Sequence, residues 1–180
     1  MKFIIPEQIE TKRLIIRMFK NDQDWQAMHK YYSNEDCTKY TTGRLLTESE
    51  SWRTVASMIG HWHLRGYGPY AIEEKSSGNV LGLVGLWYPN DWPEPEIKWG
   101  LIRDYWGQGF AVEAARAVQK MAAEYLPELS PISLIHSDNE NSKNLALAMK
   151  ATFDNIIDFR GNNWCIYRHQ ATGKINITHK

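Results

Sequence analysis

Cysteine is scarce: the 180 residues hold two, Cys37 and Cys165, far apart and in no C-x-x-C arrangement. That is too few for a disulfide framework; pairing of the two stays open, with reduced thiols the default. An excess of either charge is also lacking. Lysine plus arginine and aspartate plus glutamate each total 21, so the formal net charge is zero and the pI is near 7.0. Bulk charge therefore gives no reason to expect a nucleic-acid or membrane surface. No apolar run approaches the length that spans a bilayer, and the opening MKFIIPEQIETKR meets acidic residues too soon for a signal peptide. A cytoplasmic location is the expectation. With neither repeat nor linker, the chain reads as one domain over residues 1–170 and a polar tail over 171–180.

Aromatic residues, by contrast, exceed what a core needs. Eight Trp and nine Tyr occur, many of them in HWHLRGYGPY (61–70) and LWYPNDWPEPEIKW (86–99), a concentration expected of a groove walled by aromatic rings. His61-x-His63 lies in a helical pattern that turns the two rings to different faces, and no neighbouring Cys or carboxylate completes a site, so no metal is expected.

Periodicity predicts the order β, α, α, β, β, β, α, β, α, β, β. Residues 9–18 alternate as an opening strand, with Leu14 and Ile16 against Ile15 and Arg17. Asn21 and Asp22 offer caps to a helix whose Trp25, Met28 and Tyr32 share a face, and residues 37–46 read as a connection. Thr47 and Glu50 have capping-box spacing for a second helix through His63. Two strands joined by KSSGN form an antiparallel hairpin, and the proline-rich loop from Tyr88 to Pro95 follows it. ISLIHS is a short strand, DNENSKNLALAMKAT a capped helix, and two last strands turn around Gly161.

The stretch from Glu96 to Tyr125 organises the rest. It opens as a strand with Ile97, Trp99 and Leu101 on one face, and it closes as a helix with Ala111, Ala114, Ala115, Val118 and Ala122 at spacings of three and four. Between them lies a turn with glycine at Gly107 and Gly109. A glycine turn that opens a helix presents free N–H groups and the positive end of the helix dipole, which suits a phosphate or pyrophosphate. The third glycine of a dinucleotide fingerprint is missing, and no GK[ST] is present.

The run resembles the pyrophosphate-binding segment of the Gcn5-related N-acetyltransferases, [QR]-x-x-G-x-[GA], with Asp104 in the first position. YWGQGFAVEAARA, together with the opening T-x-R-L-x-[IL]-R at Thr11 to Arg17, is similar to the branch that acetylates ribosomal proteins, RimJ and RimL. This resemblance implies an α/β fold with a mixed, mostly antiparallel twisted sheet of about seven strands and helices on both faces. It further implies an acetyl-CoA-dependent N-acetyltransferase acting on an amine, either a protein N-terminus or a small molecule, with no membrane or direct nucleic-acid binding. A homodimer fits the branch.

Mapped residue by residue, the resemblance places coenzyme A along the main chain of Trp99, Gly100, Leu101, Ile102 and Arg103 and on the turn Trp106, Gly107, Gln108, Gly109, Phe110 and Ala111. Gly100 would permit close approach of another chain or a ligand. The helix DNENSKNLALAMKATF resembles the family's second binding segment, and matching its end, Lys150 and Phe153, puts Asn141 on the pantetheine and Asn144 at the small-residue position; Asn139 with Ser142 is the other register. Glu96 stands where relatives carry the base. Trp92 and Trp99 beside it would desolvate it and raise its pKa, although a solvated strand-edge carboxylate is the alternative. Glu94 and Asp91 would add acidic lining for a cationic amine. The tyrosine that serves relatives as general acid falls at Ala148, and Thr152 replaces a glycine. That missing tyrosine keeps a non-catalytic acyl-CoA-binding module open as a second reading.

Overall fold

The structure, a computed structural model, describes residues 3–170; the polar tail 171–180 lies outside the described residues. The expected opening strand is two. β1 (Gln8–Glu10) and β2 (Leu14–Arg17) pair antiparallel, because the polar triplet Thr11-Lys12-Arg13 turns the chain and the Thr11 hydroxyl accepts from the N–H of Leu14 at 3.0 Å. α1 (Asn21–Tyr32) already includes both expected caps, Asn21 and Asp22. Lys20 is its N-cap residue, and the Lys20 N–H donates to the buried Asp24 carboxylate at 2.5 Å.

Residues 37–46 hold more than a connection, since α2 (Glu35–Thr38) runs into them and is capped by Asn34, whose side chain accepts from the N–H of Cys37. α3 (Glu48–Arg65) starts with the capping box of Thr47 and Glu50 and stops where Gly66 takes φ 77°, a left-handed conformation that glycine adopts without a Cβ penalty.

β3 (Pro69–Glu74), β4 (Val80–Trp87) and β5 (Glu96–Leu101) form an antiparallel meander, a 3-10 turn (Arg103–Tyr105) leads to α4 (Phe110–Tyr125), and β6 (Ile132–His136), α5 (Glu140–Ala148), β7 (Thr152–Phe159) and β8 (Asn162–Arg168) complete the order. The eight strands lie in the order β1-β2-β3-β4-β5-β6-β8-β7, and all pairs are antiparallel except β5 with β6.

Alternation along each strand sorts the core into two layers. Ala71 and Leu83 face α1 and α3, where Met28, Val55 and Met58 are buried; Ile72, Val84, Leu86 and Ile97 face α4, where Ala114, Ala115 and Val118 are buried. Each fully buried aliphatic side chain of this kind contributes about 1.5–3 kcal/mol, and small residues on α4 let the helix approach the sheet closely. The helices are thus held on both faces, and the middle of the sheet between β5 and β6 is where the two layers meet. No helix among the described residues is long and apolar enough to cross a membrane.

Candidate active site

β5 and β6 pair at a single position, Glu96 with Ile132, and then diverge. Side chains stitch the point of divergence. The Ser133 hydroxyl donates to the carbonyl of Ile97 at 2.9 Å, and the N–H of Leu134 donates to the Glu96 carboxylate at 3.2 Å, so each replaces a ladder bond that the splayed strands no longer make. His169 holds Ser133 in place. Because the hydroxyl has given its proton to Ile97, Nε2 of His169 is the donor in their 2.8 Å contact, which leaves Nδ1 to accept from Gln119 at 3.2 Å. Burial lowers the pKa of His169 to about 4, so the ring is neutral.

Carbonyl and N–H groups alternate sides along a strand. With the carbonyl of Ile97 facing β6, the main-chain groups of Trp99 face the same edge, where β6 has moved away. A cavity of about 1030 Å³ opens there and passes through the sheet: Glu96 and Lys98 line it from the α1 and α3 face, and Trp99, Asn139 and Ser142 from the other. Asn139 is the N-cap of α5, its side chain accepting from the N–H of Ser142, while the Trp99 indole donates to the Ser142 hydroxyl at 3.3 Å across the split.

Glu96 is buried, at 5 % exposure, and its pKa is raised to about 7. Desolvation is the cause; the charge of Lys98, the Leu134 N–H and the Trp92 indole oppose it. The Trp92 N–H bears on the carboxylate without reaching hydrogen-bond geometry, and it is one of two buried side-chain donors left without a partner among the described residues. A carboxyl group that titrates near neutrality, within a cavity, has what a general base needs.

The glycine turn lies outside the lining of this cavity. Gly107 and Gly109 take φ 73° and 79°, left-handed conformations, and the second is the N-cap of α4. None of the N–H groups from Gly107 to Val112 donates to a main-chain carbonyl outside the helix among the described residues, so the turn offers a cluster of free donors at the positive helix end. Arg13 clasps it. Its guanidinium donates to the Gln108 carbonyl at 2.9 Å and to Glu113 at 2.7 Å, and it lies over the Phe110 ring at 4.2 Å. Glu113 also accepts from the Thr11 hydroxyl at 2.6 Å and the Arg13 N–H at 3.0 Å, contacts that hold its pKa below the usual carboxylate value against the desolvation that would raise it.

A family model described as an acetyltransferase (GNAT) domain matches residues 13–152. The chain belongs to the GNAT acetyltransferase family. It is similar to the uncharacterized N-acetyltransferase YoaA of Bacillus subtilis (strain 168), 29% identical over 147 residues, covering 78% of this chain and 80% of that one. Among solved structures, an acetyltransferase from Agrobacterium tumefaciens str. C58 superposes with a TM-score of 0.81 at 25% identity, covering 92% of this chain and 95% of that one. RimL, a ribosomal α-N-protein acetyltransferase solved in complex with coenzyme A, shares the fold, with a TM-score of 0.70 at 16% identity over 92% of this chain and 96% of that one.

Against the GNAT frame, the expected site residues fall into groups. Glu96 enters the cavity; Leu101 and Ile102 bury their side chains in the two core layers, and Arg103 is exposed, bonded to Asp36 at 3.2 Å and stacked on Trp106. The side chain of Trp106 turns back, its indole donating to the Leu101 carbonyl at 2.8 Å. Gln108 is exposed, and Phe110 is buried under Arg13. Asn141 and Asn144 sit on the exposed face of α5, away from the cavity that Asn139 and Ser142 line.

Gly100 is close-packed for another reason than a ligand: a Cβ there would meet the ring and hydroxyl of Tyr31 at 3.0 Å. Ala148 is exposed, with its carbonyl accepting from Arg116. Sequence reasoning missed Lys98, Ser133 and Arg13. The first two lie within strands read only for periodicity, while Arg13 and Glu113 lie in two motifs whose likeness to one branch was the only hint that they meet.

Proposed function

We propose that the protein catalyses transfer of an acetyl group from acetyl-CoA to an amine. The observation that carries this is the opening through the sheet, which brings a buried carboxyl group, Glu96, and the free edge of Trp99 into one cavity. The coenzyme's diphosphate would rest on the N–H groups after Gly107 and Gly109, where a side chain at either position would strain the backbone, and its arm would run along β5 past Asn139.

Glu96 then takes the proton from the acceptor's ammonium, and the freed amine attacks the thioester carbonyl. The Trp99 N–H is placed to donate to the oxygen that gains charge. The carbon–sulfur bond breaks as the carbonyl re-forms, and with Ala148 at the tyrosine position the thiolate leaves as the anion or takes its proton from water. The motifs T-x-R-L and V-E-A-A, joined through Arg13 and Glu113 beside the glycine turn, favour the RimJ and RimL branch within the family by likeness at the coenzyme side, not by acceptor. The compartment proposed is the cytoplasm.

The test is a thermal shift with acetyl-CoA on the wild type and on a Gly107→Val, Gly109→Val variant. Ligand at a hundredfold excess over Kd stabilises by about 2.7 kcal/mol, and the variant, forced out of two left-handed conformations, should lose that shift. No shift in the wild type would end the reading.

A further inference from the structure

We propose that the acetyl acceptor carries a carboxylate beside its amine, which Lys98 pairs, so that the acceptor is a free α-amino acid with an aromatic or bulky apolar side chain rather than a protein N-terminus. This rests on the acetyl-transfer reading above and names its substrate.

The charges around the cavity decide it. Two acidic residues expected to attract a cationic amine are already spent: Asp91 is paired with Arg160, and Glu94 is held by both terminal nitrogens of Arg168 at 2.9 and 3.1 Å; Glu50, which also lines the cavity, is held by Arg44 at 2.7 Å. Glu96 is left. Opposite it stands Lys98, two residues along the same face of β5, with Cα atoms about 6.5–7 Å apart by strand geometry.

No carboxylate lies within 4 Å of the Lys98 ammonium among the described residues; it rests over the Trp87 ring at 4.7 Å instead. Glu96 acts on this mostly buried ammonium from beyond ion-pair distance and leaves its burial only partly offset, a cost that a ligand carboxylate would remove. The two side chains also diverge. Glu96 reaches across to the main chain of β6 at Leu134, whereas Lys98 lies back over Trp87 on β4, so the space between them accepts an amine on one side and an anion on the other.

The groups of an α-amino acid, joined through one carbon, match that order. A peptide N-terminus does not, because the carbonyl next to its amine is a neutral amide. Beyond the pair, Trp92, Phe159 and Trp164 continue the wall, with ring centroids 5.1 Å apart for the first two and 6.3 Å for the second two, an apolar bed for the acceptor's side chain.

The experiment measures CoA thiol release at saturating acetyl-CoA with L-tryptophan and L-phenylalanine, their amides, and tryptamine, for wild type, Lys98→Met and Lys98→Arg. The amides have the less basic amine, so more of it is unprotonated at neutral pH and chemistry alone favours them. We expect wild-type kcat/KM to be about tenfold or more higher for the free acids, the size of one charge-assisted hydrogen bond. Lys98→Met should bring the acid-to-amide ratio to near one, and Lys98→Arg should restore most of it. Equal or better use of the amides by the wild type, or a ratio that survives Lys98→Met in a protein of unchanged melting temperature, would overturn the proposal while leaving acetyl transfer standing. No acetylation of any of these amines, in a protein that acetyl-CoA still stabilises, would likewise overturn the proposal and leave acetyl transfer to another amine standing; only the absence of that stabilisation would take both.

Discussion

On the side of β5 that looks toward α4 and α5, the groups offered to a ligand are main-chain ones: the N–H groups after Gly107 and Gly109 and the edge at Trp99. On the side that looks toward α1 and α3 they are side chains drawn from separate segments, Glu96 and Lys98 on β5, Trp87 on β4, Trp92 on the loop, and Phe159 and Trp164 from the last hairpin. A site made of backbone depends on a few conformations, so it is written in a short stretch of sequence. A site made of converging side chains depends on the whole fold, and any one of its residues can change without unmaking the rest. Conserving one half and varying the other is how a fold keeps its donor and changes its acceptor.

The sharpest break in this comparison is Glu96→Gln, which touches only the side-chain half. We expect kcat/KM to fall by about 10²–10⁴, the usual worth of a positioned base, with acetyl-CoA affinity unchanged. Wild-type kcat/KM should rise as pH passes about 7, and the variant should lack that step. Full activity in the variant would make the carboxyl group a structural one.

A smaller effect separates the two halves by stability. The folded pKa of Glu96 is about 7 against an ordinary 4.5, so the folded state holds its proton longer than the unfolded chain does. That contribution is complete below pH 4.5 and is lost as pH rises to about 7, at a cost of about 3 kcal/mol at most. His169 works the other way. Its folded pKa of about 4 lies below 6.5, so its contribution is complete above pH 6.5 and is lost as pH falls toward 4. In the wild type the two slopes oppose each other over nearly the same interval, and these two contributions largely cancel. Glu96→Gln, which keeps an oxygen for the Leu134 N–H, should unmask the His169 slope, with denaturant midpoints that fall on acidification from pH 7 to 4. A flat curve in the variant would mean that the buried imidazole carries no such penalty.

Most of the fold was legible because it is written locally. The capping box at Thr47 and Glu50, the hairpin around KSSGN and the strand that opens at Glu96 each sit within a few residues, and the structure has them where the pattern puts them. Where the reading slipped, a neighbour in space decided. Gly100 reads as room for either another stretch of chain or a ligand, and the Tyr31 ring decides for the former. Asn141 matches the end of the motif, yet it lies on the exposed face of α5, and it is Asn139, the N-cap, that lines the cavity. Lys98 reads only as a residue on the face of the strand opposite Ile97, Trp99 and Leu101; the folding of Trp87 beneath it and the spending of Asp91 and Glu94 on arginines show what it faces.

Arg13 is the exception to the comparison itself, a side chain that serves the main-chain half. It stands about a hundred residues from Glu113 in sequence, and the two motifs that contain them meet so that one guanidinium fixes both the carbonyl of Gln108 and the first turn of α4. The ion pair is partly exposed, 41% and 20% for the two side chains, so its own stabilisation is small, about 1 kcal/mol. Its larger use is conformational, because a turn already held in its left-handed shape binds a diphosphate without first being ordered. Arg13→Met should therefore weaken acetyl-CoA binding by about threefold to tenfold in a calorimetric titration while leaving the KM of the acceptor where it was. A change in acceptor KM equal to that in coenzyme affinity would show that the two halves are not independent, and the division between backbone and side-chain recognition would have to be given up.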